Sequence, residues 1–142
     1  MKKTIIRCIL SGCILLCGCG SNVNWDITDN AIEIEDTNLN EYVNPNDKED
    51  TYIYVEINGA MYLPYGVQGE QITSDMIGEC IAYEEDDDNQ RYYKVNGSDD
   101  FIADYYVGGE MVQVNFMRKA DTIGKDIETP NFIDDLGYDI WK

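Results

Sequence analysis

Carboxylates are the most abundant groups for acid–base chemistry in this chain, whose 142 residues include 28 Asp and Glu and five Cys but no His. The absence of histidine excludes Ser-His and Cys-His mechanisms and histidine-ligated zinc sites. Paired carboxylates suited to glycoside hydrolysis are an open alternative, but among so many acids no particular pair stands out. We therefore expect no catalytic residue and no cofactor, and keep a small carboxylate-dependent enzyme as a third hypothesis.

The densest acidic segment, Glu84 to Asp88, raises the question of a calcium site, since hard cations prefer several carboxylate oxygens. An EF-hand loop places its acids at alternate positions, with a central glycine and a distal Glu. This run is contiguous and is followed by Gln90 and Arg91, which is more typical of a solvated hairpin loop. We predict no metal site here.

The most specific chemical pattern is at the start of the chain, where a short apolar segment, Cys8 to Leu16, ends in Leu16-Cys17-Gly18-Cys19. A basic segment precedes it, and these are the proportions of a secretory signal. The apolar run is well short of the roughly 20 residues that a transmembrane helix needs, so a membrane-spanning anchor is disfavoured. Three basic residues form the preceding segment: Lys2, Lys3 and Arg7.

A small residue before a cysteine at the end of such a run resembles the cleavage site of bacterial lipoprotein precursors. The resemblance covers residues 1–20. It implies that the Cys19 sulfur carries a diacylglycerol, that the chain is cut between Gly18 and Cys19, and that the new amino terminus takes a fatty acid such as palmitate. It also implies a location on the outer face of the bacterial cytoplasmic membrane, or in the outer membrane of a Gram-negative source.

A second match, Leu10-Ser11-Gly12-Cys13, competes with this assignment. Cleavage there would leave only Cys8 to Gly12 as the apolar segment and would leave Ile14 to Leu16 on the mature protein. Cys19 is therefore the preferred lipidation site. Once the signal is removed and Cys19 is alkylated, Cys80 is the one thiol, and its position in a predicted strand favours a small buried core residue.

The mature chain is strongly acidic, because loss of the three basic signal residues leaves 7 basic against 28 acidic side chains, a formal net charge of −21. Such a charge disfavours nucleic acid, whose binding depends on Lys and Arg at phosphates. It also repels the anionic membrane surface to which the lipid would hold the protein. We expect a membrane contact through the lipid and no nucleic-acid partner, and a cationic protein is the candidate protein partner.

Composition divides the mature chain into an acidic, polar tether over residues 19–50 and a β-rich domain over residues 51–142. The tether is rich in Asn, Asp, Glu and Thr, and Asn44-Pro45-Asn46-Asp47 has turn chemistry. As a flexible chain it would span roughly 30 Å. Alternation in Ala31 to Glu35 leaves open that this segment joins the sheet of the domain.

Strand patterns dominate residues 51–142 and predict a mainly β fold, α+β at most, built as a small antiparallel sheet or barrel of hairpins. One hairpin turns at Asn58-Gly59, a dipeptide suited to a type I′ turn, with Ile57 facing Ala60. A second turns at Gly108-Gly109 with one apolar and one wet face. Between them lie strands at Ile77 to Glu84 and Arg91 to Val95.

Helical spacing after Pro130 predicts a short helix at about 131–136, ended by Gly137, with Trp141 packed on the sheet. Eleven tyrosines follow Glu41, and strand packing accounts for most of them. Exposed tyrosines also gain contact area at low entropic cost, so four are candidates for ligand binding. These candidates are Tyr106, on the face expected to be wet, and the cluster Tyr52, Tyr54 and Tyr65.

The hairpin Ile57 to Pro64 and the ending Ile140-Trp141 are similar to small uncharacterised lipoproteins of Gram-positive bacteria, a similarity that transfers no functional residue. The sequence therefore predicts a lipid-anchored, acidic, non-catalytic binding or interaction module with an unknown ligand at the cell surface. The alternative is an immunity or inhibitor lipoprotein directed against a cationic toxin or cell-wall enzyme.

Overall fold

The computed structural model describes residues 23–110 and 113–142, and it is mainly β, as predicted. Short 3-10 turns at Thr37–Leu39, Ala120–Thr122 and Asp139–Trp141 are its helical elements within these ranges. None of the described helices has the length and apolar character needed to cross a bilayer. The strands are β1 (Ile32–Ile34), β2 (Glu41–Asn44), β3 (Asp47–Ile53), β4 (Val55–Ile57), β5 (Ala60–Gln68), β6 (Ile77–Glu84), β7 (Gln90–Val95), β8 (Ser98–Tyr106), β9 (Asn115–Lys119) and β10 (Ile133–Asp135).

Eight strands form one mixed sheet in the order β1-β6-β7-β8-β9-β5-β10, with β4 also paired to β5. The pairs are antiparallel except β1 with β6, which run parallel. Strands β2 and β3 form a separate antiparallel hairpin. The antiparallel expectation is therefore correct for the hairpins and wrong for β1.

The predicted hairpin at Asn58-Gly59 is confirmed, with Ile57 paired to Ala60 and Val55 paired to Tyr62. Both turn residues have positive φ, 51° at Asn58 and 81° at Gly59, as a type I′ turn requires. The turn thus fixes which side chains of β4 and β5 face each other.

A bulge in β6 turns Cys80 and Ala82, which are two residues apart, to opposite faces of the sheet. Cys80 pairs with Tyr93 and Ala82 pairs with Tyr92, so Ile81 is an extra residue on its strand. Cys80 and Tyr93 then belong to one apolar cluster, which we call cluster 1, and Ala82 and Tyr92 belong to another, cluster 2. Cys80 is 1% exposed, which confirms its predicted core position.

Cluster 2 also shows that the sheet curls. Ile32 and Ile34 of β1 pack in the same cluster as Val55 and Ile57 of β4, although these strands lie far apart in the strand order. Curling brings both ends of the sheet around one apolar interior.

The β8–β9 connection is longer than predicted. Ala103 pairs with Phe116, two positions beyond the partner that a two-residue turn at Gly108-Gly109 would give. A shift of two preserves the face of every side chain, so the predicted apolar face is correct. The opposite face is not simply wet, because Ile102 and Met117 are buried in cluster 2.

The predicted tether is wrong over its described part. Strand β3 crosses the proposed boundary at residue 50, and β1 pairs with β6. Val23 is only 8% exposed, and Trp25 packs against the same cluster 1. The apolar residues of this segment are few and are separated by polar residues. Several of them nevertheless pack on the sheet that the rest of the chain forms, so the segment belongs to the domain.

The predicted helix at 131–136 is also wrong. Ile133 to Asp135 form β10, which pairs with β5 so closely that a Cβ at Gly66 would lie 2.2 Å from the Asp134 carbonyl oxygen. Trp141 packs on the sheet as predicted, and its Nε1 donates to the Pro64 carbonyl oxygen at 2.7 Å.

Deleting residues 20–50 should therefore destabilise the protein rather than leave it unchanged. The deletion removes Val23, Trp25 and β1 from the two clusters, and we expect the free energy of unfolding to fall by more than about 3 kcal/mol. Thermal unfolding monitored by circular dichroism measures this. Leu39→Ser, at a side chain that is 89% exposed, is the control and should leave the melting temperature unchanged. If the deletion left the melting temperature unchanged, residues 20–50 would act as a tether, as the sequence predicts.

Candidate functional site

A cleft of about 490 Å³ opens on the cluster 2 side of the sheet, where β6, β7 and β8 meet the 3-10 turn that follows β1. Five of its lining residues are acidic and none is basic. Four other cavities in the described part of the chain have at most three charged lining residues each. The lining consists of Asp36, Thr37, Asn38, Ile53, Glu84, Asp86, Asp87, Gln90, Tyr92, Asp104 and Tyr106.

Strand register brings the cleft residues together. Tyr92 of β7 pairs with Asp104 of β8, and Gln90 pairs with Tyr106 one step further along the same face. On the other side of β7, Tyr92 pairs with Ala82, two residues before Glu84. The apolar interior therefore ends in polar side chains at one end of these three strands.

Glu84 is a buried carboxylate, 7% exposed, with three hydrogen-bond donors. The Tyr92 hydroxyl donates to Oε2 at 2.6 Å, and the Thr37 hydroxyl donates to the same oxygen at 3.2 Å. The Thr37 backbone N–H donates to Oε1 at 3.3 Å. Burial, with the nearby charge of Asp104 and the hydrogen bond to Glu84, raises the pKa of Tyr92, so its hydroxyl stays protonated and donating.

Asp104 of β8 is a second carboxyl group in the wall of the cleft. Its side chain is half-buried and accepts a hydrogen bond from the Gln90 amide. Burial raises the pKa of Asp104, the hydrogen bond from Gln90 lowers it, and the charge of Glu84 raises it, with a net pKa of about 7. This side chain was predicted on a wet face, and the structure places it in the cleft instead.

Tyr106 stands at the cleft rim with 40% of its surface exposed. Its hydroxyl donates to Asp87 Oδ2 at 2.7 Å, and this hydrogen bond is the main cause of a raised pKa of Tyr106. Asp87 Oδ1 accepts from the Asn89 N–H at 3.1 Å, so the acidic loop is ordered by its own carboxylate. Within residues 23–110 and 113–142, no group of three or more potential metal ligands converges.

The four candidate tyrosines do not share one surface. Tyr106 lines the cleft, whereas Tyr54 is half-buried in a separate depression of about 300 Å³ beside Ile34. Tyr52 and Tyr65 are buried, at 8% and 6% exposed, so the binding role predicted for them lacks the exposure on which it depended. Their hydroxyls hydrogen-bond to Asp50 and Thr129, respectively. Cys19, the predicted lipidation site, lies outside the described residues.

Sequence reasoning missed Glu84, Asp104 and Thr37 as site residues. Glu84 was assigned to the end of a strand and the start of a solvated loop, and Thr37 to the tether. The one local signal was the alternation of β8, which puts Asp104 on the same face as Tyr106. Nothing local indicates that Thr37 reaches a carboxylate 47 residues away.

Comparison with known proteins adds no assignment to this cleft, since no protein-family model, no curated protein and no solved structure matches the chain. The geometry and charge of the cleft are therefore the basis for its function.

The raised pKa of Asp104 predicts a pH dependence of stability. The folded state keeps the proton up to about pH 7, whereas the unfolded state loses it near the ordinary pKa of an aspartate, 3.8. Between these values the folded state binds more protons, so this group lowers stability as pH rises. The loss is complete above pH 7 and is at most about 4 kcal/mol.

Asp104→Asn should remove that part of the pH profile. We expect the variant to gain stability over the wild type at pH 8, with the difference vanishing towards pH 4. Urea unfolding at a series of pH values measures this. Asp126→Asn, on the surface outside the cleft, controls for the removal of one negative charge. A constant difference between Asp104→Asn and the wild type would contradict the assignment.

Proposed function

We propose that this protein is a lipid-anchored surface protein whose acidic cleft binds a cationic partner without catalysis. The cleft carries this proposal, because five carboxylates and the exposed Tyr106 line it and no Lys or Arg does. Lys and Arg side chains form charge-assisted hydrogen bonds with carboxylates. A tyrosine ring adds a cation–π contact. A cation is therefore the ligand class with the best chemical match.

The net charge of the mature chain supports the same partner. At −21, the surface as a whole attracts cations towards the cleft before contact is made. An immunity or inhibitor lipoprotein that blocks a cationic toxin or cell-wall enzyme is one form of this proposal. A receptor for another basic protein is a second form, and the charge favours both equally.

A lipid on Cys19 would hold the folded domain close to the membrane. Val23 is buried in cluster 1 only four residues after Cys19, so at most about 14 Å of chain separates the lipid from the folded core. Trp25 packs on Tyr93 and Tyr105, with ring centroids 5.0 Å and 4.2 Å away. These rings are on the face of the sheet opposite the cleft. The anchor would then hold the cluster 1 side near the membrane and leave the cleft accessible.

Cys19→Ala tests the anchor. It should block incorporation of labelled palmitate and leave uncleaved precursor or release protein into the medium. Cys13→Ala is the matched control and should still incorporate the label. Labelling of the Cys19→Ala variant would show that Cys13 or Cys17 is the modified residue instead.

Charge removal tests the cleft. Asp86→Asn combined with Asp87→Asn should slow association with a fluorescent oligolysine probe at low salt, because steering acts on the encounter rate. The difference should shrink as salt is raised, since screening shortens the range of exposed charges to about 10 Å at 0.1 M. Stopped-flow fluorescence measures the rate.

The matched control removes the same two charges elsewhere, with Asp126→Asn and Glu128→Gln on the exposed surface. If both double variants slow association equally, the probe responds to net charge alone. In that case the cleft is not the binding site.

A second candidate function, carboxylate-dependent hydrolysis, is favoured by one observation: the buried Glu84 and the half-buried Asp104 line the same cleft. A carboxyl group that keeps its proton near neutral pH can act as a general acid. However, both oxygens of Glu84 already accept hydrogen bonds from Thr37 and Tyr92, which weighs against a nucleophile. Turnover of a chromogenic glycoside by Asp126→Asn but not by Asp104→Asn would favour the enzyme.

A further inference from the structure

One face of the β2–β3 hairpin carries exposed apolar side chains. Tyr42 and Tyr52 pair across the hairpin and pack into a third apolar cluster with Leu63 and Ile140, so this face is the inner one. Val43 and Ile53 alternate with these tyrosines and point to the outer face, where they are 46% and 44% exposed. The outer face is therefore not required to close the fold.

Val43 and Ile53 are close neighbours on that outer face. Val43 pairs with Thr51, and Glu41 pairs with Ile53, so the two apolar residues occupy diagonal positions. Leu39, 89% exposed, lies two residues before β2 on a 3-10 turn that contacts β3. We call Leu39, Val43 and Ile53 the apolar strip.

The apolar strip continues into the acidic cleft. Ile53 itself lines the cleft, as does Tyr106, and Asn38 of the 3-10 turn lies between the cleft and Leu39. Four of the five exposed large hydrophobic residues in the described part of the chain belong to this region, and the fifth is Leu136 on the C-terminal segment. An exposed apolar patch bordered by charged groups is characteristic of an interaction surface.

We propose that the apolar strip and the acidic cleft together bind a basic, amphipathic polypeptide segment, whose apolar side chains lie on the strip and whose Lys or Arg side chains enter the cleft. This inference rests on the proposed function of the cleft and names the kind of partner. Charge complementarity selects it. A second copy of this chain would bring −21 against −21, and an anionic lipid surface would be repelled for the same reason.

The test uses the full lipidated protein in phosphatidylcholine nanodiscs, with empty nanodiscs as the blank. The probe is a fluorescent peptide of leucine and lysine arranged with all leucines on one helical face. A scrambled peptide of the same composition, with no apolar face, is the second probe. Fluorescence anisotropy gives the Kd for each, and we expect the amphipathic peptide to bind at least about tenfold more tightly than the scrambled one.

Leu39→Ser combined with Val43→Thr, two strip residues outside the lining of the cleft, should weaken binding of the amphipathic peptide at least about tenfold and leave binding of the scrambled peptide unchanged. Both side chains are exposed, so the melting temperature should stay constant and loss of folding is excluded as the cause. Leu136→Ser removes another exposed leucine, 52% exposed, away from the strip and should have no effect on either Kd.

The outcomes separate the two proposals. If Asp86→Asn with Asp87→Asn weakens both peptides while the strip variant weakens neither, the cleft proposal stands and the strip proposal is overturned. If neither peptide binds the wild type, both are overturned. A wild type that is dimeric by light scattering and becomes monomeric with Leu39→Ser would show that a second copy occupies the strip, which also overturns the inference.

Discussion

The buried carboxylate of Glu84 is the constraint on which the cleft depends. A carboxylate removed from water needs hydrogen-bond donors, and here they come from a strand neighbour, Tyr92, and from Thr37 in the distant 3-10 turn. Meeting that requirement joins the N-terminal segment to the end of β6. It also places Asp36 and Asn38 opposite the acidic loop, so the same contact that satisfies Glu84 builds the far wall of the cleft.

The cleft exists because the curled sheet changes character along its inner face. The interior of cluster 2 is filled by Ala82, Tyr92 and Ile102. The next residue on the same face is Glu84 in β6 and Asp104 in β8. A strand that continued apolar to its end would have closed this interior completely. Carboxylates instead retain an opening, and burial there, with a smaller contribution from the charge of Glu84, raises the pKa of Asp104. This face thus combines a packed core with a polar mouth.

Features encoded by neighbouring residues could be predicted from the sequence, and features that depend on distant partners could not. Asn58-Gly59 fixes its own turn, and the bounds Ile77 to Glu84 follow from a continuous strand pattern. In contrast, β1 has three residues and no stability of its own, and it exists because the edge of β6 is free to pair. The spacing after Pro130 fits a helix equally well, but pairing with β5 wins because it also buries Ile133 in cluster 1.

The residues of the candidate site likewise divide into those that a local pattern predicts and those that depend on distant pairing. Tyr106 was identified because exposure on one strand face can be read from alternation, whereas the pairing of Tyr92 with Asp104 needs the register of β7 and β8. That pairing has an electrostatic consequence for the proposed function. Near pH 7 Asp104 is divided between its protonated and ionised forms, and a cation in the cleft stabilises the ionised one. Binding and proton release are then coupled, since any ligand that lowers the pKa of Asp104 must itself bind more tightly as Asp104 ionises.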